Sequence, residues 1–86
     1  MTDFNVDYTL NYTFIRENND KKKQQILEYR DGEYKWTNGL ENCLGYFKGC
    51  CVNETLCKAL NNSVDTGWKI YINSFNENGE HIETIE

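Results

Sequence analysis

The chain contains no proline, a single histidine and no apolar run approaching the roughly 20 residues that a membrane-spanning helix needs. The lack of proline, with abundant Asn, Lys and Ile, is what AT-rich codons produce, a habit of many bacteria and their phages. The lack of a long apolar run excludes a membrane helix. The opening "MTDFNVDYTL" has neither a basic stretch nor an apolar core behind it, so no secretory signal is expected and the chain reads as cytoplasmic. Sequons at Asn11, Asn53 and Asn61 are what chance yields in so Asn-rich a chain.

Base is also scarce. Fourteen acids stand against nine Lys and Arg, a formal net charge of −5. Long-range attraction to DNA or anionic lipid needs clustered Lys and Arg and is not expected here, whereas attraction to a basic protein surface is. After Lys69 no base follows, while Glu77, Glu80, Glu83 and Glu86 do. Glu77, Glu80 and Glu83 are therefore the candidate partner-binding residues.

All four cysteines fall in "NCLGYFKGCCVNETLC", residues 42 to 57. Structural zinc sites draw ligands from pairs spaced C-x₂₋₄-C, because a tight turn must aim both sulfurs at one ion. Cys43, Cys50, Cys51 and Cys57 have no such pair, and no metal or cofactor is expected. Disulfides would staple only this local segment, and a Cys50–Cys51 bridge would be strained, since adjacent Cα atoms are about 3.8 Å apart and normal bridges need about 4.4 Å or more. Reduced thiols acting as small apolar residues are the preferred reading, with Cys43 and Cys57 on helical stripes and Cys50 and Cys51 in the connection between them. A nucleophilic Cys50 or Cys51 would need a base, and the sole histidine, His81, lies some thirty residues on.

Other chemical signatures are incomplete. "SFNENGEHIETI" imitates a calcium loop through Asn76, Asn78 and Gly79, but Ser74 and Ile85 stand where acids are required, so it reads as a hairpin turn. Gly39, Gly45 and Gly49 form no phosphate-binding pattern. Lys21, Lys22 and Lys23, close in sequence to aromatic residues, admit a nucleic-acid patch but fit a solvated turn better. The chain is not expected to be an enzyme.

What is present is periodicity. Phe4, Val6, Tyr8, Leu10, Tyr12 and Phe14 alternate with polar residues, which predicts one long strand over 4–14. "QQILEYR" and "EYKWT" flank Asp31-Gly32 as a hairpin, placing Leu27 and Tyr29 toward the core with Tyr34 and Trp36. Leu40, Cys43, Leu44 and Phe47 have helical spacing, with Gly49 as the stop, and Asn53 caps a second helix bearing Leu56, Cys57 and Leu60. "GWKIYINSF" and "EHIETIE" close the chain as strands. The expected fold is one α+β domain over residues 1–86: an antiparallel sheet of about five strands, β-β-β-α-α-β-β, with two short helices between the third and fourth strands. Tyr8, Leu10, Trp36 and Ile70 are assigned to its core. The expected function is a small acidic protein-binding module, such as a phage or mobile-element inhibitor or accessory protein docking on a basic site of a nucleic-acid-handling enzyme. The alternatives are a nucleic-acid-binding domain using the Lys21–Lys23 turn and a small cysteine-dependent enzyme.

Overall fold

The computed structural model describes residues 6–38 and 46–85, and within them the chain is α+β, an antiparallel sheet with one helix on it. In chain order the elements are β1 (Asn11–Asn18), β2 (Lys23–Arg30), β3 (Glu33–Thr37), β4 (Phe47–Lys48), a 3₁₀ turn (Gly49–Cys51), α1 (Glu54–Asp65), β5 (Lys69–Phe75) and β6 (His81–Ile85). The sheet runs β3-β2-β1-β5-β6, and the two-residue β4 also pairs with β1. β4 takes Asn11 and Tyr12 of β1, whereas β2 takes Ile15 to Asn18, so the two share one edge of the central strand.

The long alternating strand is displaced from where the sequence puts it. Asp7 accepts hydrogen bonds at its carboxylate from the amide and hydroxyl of Thr9, and its carbonyl accepts from the Leu10 amide at 3.1 Å. That local turn takes residues 7–10 out of the strand, as Asp side chains commonly do when they bond the backbone two residues on. Tyr8, assigned to the core by its alternation, is consequently 73% exposed. β1 starts at Asn11 and keeps the same parity, with Tyr12 and Phe14 fully inside. Leu10 is half-buried against the core, Trp36 likewise, and Ile70 is buried.

The β2–β3 hairpin forms as expected on Asp31 and Gly32, both at positive φ (54° and 80°), the requirement of a type I′ turn. Asn53 caps α1, its carboxamide oxygen accepting from Leu56 N–H at 3.0 Å. The helix then buries Leu56, Leu60 and Ser63 against the sheet. Of the helix expected over Leu40 to Phe47, residues 40–45, including Cys43, lie outside the described residues. Its last residue is a strand residue instead, because Phe47 pairs with Tyr12 and packs at 5.7 Å against Phe14. The described residues thus hold one α-helix and a 3₁₀ turn.

The core is Tyr12, Phe14, Leu27, Phe47, Leu56, Leu60, Ile70 and Ile72. One end of this layer is closed by a cation. Arg16 follows Phe14 on the same face, and its guanidinium lies 4.6 Å from the Trp36 ring and 4.0 Å from the Trp68 ring. It also donates to Gln25 Oε1 at 2.8 and 2.6 Å and to Ser63 Oγ at 2.9 Å. Burial holds this guanidinium below its ordinary pKa.

Candidate functional site

A row of aromatic rings leads from the core to the surface. Phe14 touches Phe47, Phe47 lies 6.0 Å from Tyr34, and Tyr34 lies 4.9 Å from Tyr29, its cross-strand partner in the β2–β3 hairpin. Tyr29, expected in the core, is 57% exposed, because it stands near the hairpin tip, where an open depression separates it from the first turn of α1. The outer rings line a depression of about 460 Å³ together with Tyr46, Phe47, Cys51 and Asn53. Through the shared Tyr29, Tyr34 and Asn53 it continues into a second depression of about 550 Å³ bounded by Gly32, Glu33, Thr55 and Ala59. The result is one open groove between the hairpin and the first turn of α1. Its apolar floor is Phe47, and Tyr34 Oη donates to Asn53 Oδ1 at 3.5 Å. Such a surface offers flat ring faces with hydroxyl rims, suited to stacking and to holding cationic side chains.

The acidic candidates lie elsewhere, on the β5–β6 hairpin. Its turn is built by Asn76, whose side-chain oxygen accepts from the amides of Asn78 and Glu80 at 2.9 and 3.0 Å. Glu77 and Glu80 project from this turn, and Glu83 sits opposite Ser74 in β6; all three are exposed. No described residue forms an ion pair with them. Their charge is less isolated in space than in sequence, however. Glu77 lines a depression with Tyr8, Leu10 and Lys48, so a base from β4 stands on the same recess.

Lys21 and Lys22 lie in the β1–β2 turn, and Lys23 opens β2. Asn18 organises this turn by accepting from the amides of Asp20 and Lys21 at 3.0 and 3.2 Å. Lys21 Nζ is 6.0 Å from Trp68, but that ring already carries Arg16. His81 stacks edge-on against Phe75 at 5.4 Å and bonds Thr84 Oγ1 at 2.9 Å. Cys50 and Cys51 are exposed free thiols in the 3₁₀ turn, and Cys57 is half-buried in α1. Among the described residues, no three His, Cys, Asp or Glu side chains gather around a common point that would hold a metal.

Comparison with known proteins returns no matching family model, no matching curated protein and no matching solved structure. The tyrosine groove was absent from the sequence reading because Tyr29 and Tyr34 satisfy the alternation of core residues. The available signal was their place, two or three residues from the Asp31-Gly32 turn.

Proposed function

We propose that the protein is a small, non-enzymatic, cytoplasmic binding module whose partner is another protein with a basic surface. In this reading it is an inhibitor or accessory protein of phage or mobile-element type, docking on the basic site of a nucleic-acid-handling enzyme. One observation carries the reading: Tyr29, Tyr34 and Tyr46 line a single open groove. Tyrosine gives a large contact area for little lost side-chain entropy and is enriched where proteins meet. Its ring face attracts Arg and Lys, and Glu33 on the groove's wall, held at 3.7 Å by the exposed Lys35, adds a carboxylate that a partner's base would have to share. The net charge of −5, with Glu77, Glu80 and Glu83 on one hairpin, favours fast encounter with a basic partner.

The test uses capture from the native cell, followed by binding kinetics of the captured protein against variants. Tyr29→Ala and Tyr46→Ala should each raise the dissociation rate, about tenfold or more if the ring is a hot spot. The combined Glu77→Lys, Glu80→Lys, Glu83→Lys variant should slow association at low salt and converge on wild type at high salt. If the tyrosine variants bind as wild type does, the groove is not the interface. If the captured partner is acidic, the charge argument fails.

A further inference from the structure

We propose that Cys50 and Cys51 form a two-sulfur site for the soft monovalent cation Cu(I). The two Sγ atoms are 3.9 Å apart and both side chains are exposed. Thiolate bonds to a metal are about 2.3 Å long, so sulfurs at this separation subtend about 116° at a shared ion. That angle lies near trigonal, which leaves a third position open to water or to a small exogenous thiol. A closed zinc site needs four ligands, and the described residues bring no third His, Cys, Asp or Glu to a common point. Soft thiolates suit Cu(I), which does not need the four protein ligands of a structural zinc site.

The turn that carries the pair is fixed before any ion arrives. Gly49 is buried and its amide donates to Leu10 O at 2.8 Å, while Val52 N–H closes the 3₁₀ turn on Gly49 O at 3.2 Å. The sulfurs are held close without being bonded. Bringing them to disulfide length, about 2.05 Å, would strain a bridge between adjacent residues, so the arrangement suits an ion between them. Binding is not a redox step: two thiols give up two protons, and one Cu(I) takes both sulfurs.

The experiment supplies Cu(I) anaerobically, buffered by a chromogenic Cu(I) chelator, to the reduced full chain. One equivalent should transfer to the protein. N-ethylmaleimide labelling followed by peptide mass mapping should then find Cys50 and Cys51 protected by one equivalent of Cu(I) and Cys57 unprotected. Cys50→Ser and Cys51→Ser should each weaken binding roughly 10²–10⁴-fold, the advantage of a second ligand held at high local concentration. Both are exposed positions, so unchanged melting temperatures verify folding. The proposal is overturned if the chelator keeps all the copper, if the double serine variant binds as wild type does, or if Cys57 is protected equally.

Discussion

Replacing Gly49 with alanine tests how the edge of β1 is sealed. Gly49 is buried, and a Cβ built on it would overlap the Asp7 carbonyl oxygen and come within 2.9 Å of both Asp7 C and Tyr8 Cα. These are backbone atoms with little freedom to retreat. Asp7 N–H donates to Tyr12 Oη at 2.8 Å, and its carbonyl is the acceptor for Leu10 N–H. The alternative is for the 3₁₀ turn to move, which breaks the 2.8 Å bond from Gly49 N–H to Leu10 O. Overpacking costs about 1–3 kcal/mol and a lost backbone bond about 1 kcal/mol, so the expected loss is about 2–4 kcal/mol. In a domain of this size each kcal/mol moves the melting temperature by about 4–8 °C, giving a fall of roughly 8–32 °C. Gly32→Ala is the internal comparison: nothing lies within 4 Å of its Cβ, and only the positive φ of 80° is penalised, by about 1–2 kcal/mol. Urea and thermal unfolding followed by tryptophan fluorescence give both values. If Gly49→Ala is less destabilising than Gly32→Ala, the close approach of the 3₁₀ turn to Asp7–Tyr8 is wrong.

Leu27 is fully buried and Tyr8 is exposed, so Leu27→Ala should cost about 2–5 kcal/mol in urea titrations and Tyr8→Ala no more than about 0.5 kcal/mol; equal losses would restore the strand over residues 4–14. Arg16→Lys should lower stability by about 1–3 kcal/mol, because an ammonium cannot both stack between two indoles and donate twice to Gln25; an unchanged urea midpoint would mean that charge alone suffices. The Thr9 hydroxyl and amide hold the Asp7 carboxyl below its ordinary value of 3.8. Asp7 therefore contributes stability above the unfolded carboxylate pKa and loses it as pH falls through the lower folded value. Thr9→Val should move its NMR-detected titration back up, and an unmoved titration would refute the assignment.

Period-two alternation identified which residues share a face of this sheet, but it carried no information about how far the covering helix reaches. Tyr29, Leu27, Phe14 and Ile72 do lie on one face, as their cross-strand registers require. Leu27 packs in one cluster with Leu56 and Leu60 of α1, while Tyr29, nearer the hairpin tip, borders an open groove beside the helix, so the same alternation produced a core residue and an exposed one. The converse error occurs at Arg16, where a charged residue occupies an inward position. An apolar-inward rule ends the strand at Phe14, yet the guanidinium is acceptable inside because two tryptophans and two hydrogen-bonding side chains surround it. The turns were more legible than the strand ends, since Asp31-Gly32, Asn76 and the Asn53 cap act through local hydrogen bonds or local φ preferences.

The groove and the thiol pair depend on the same seven residues, 46–52, for which helical spacing was a misleading guide. Phe47 matched a stripe with Leu40, Cys43 and Leu44, but its partners are Tyr12 across the ladder and Phe14 and Tyr34 by ring contact, all distant in sequence. Once Phe47 is fixed by these contacts, the chain must pass close to Asp7–Tyr8, and the absence of a side chain at Gly49 permits it. The tight turn that follows carries Cys50 and Cys51 outward together and sets Cys51 on the groove wall beside Tyr46. Two strand residues and one glycine thus position both the floor of the proposed partner site and the two sulfurs at its rim. It follows that a change at Gly49 too mild to unfold the protein should still disturb groove and thiols together, whereas changes at the exposed Glu80 and Glu83 of the β5–β6 hairpin should disturb neither.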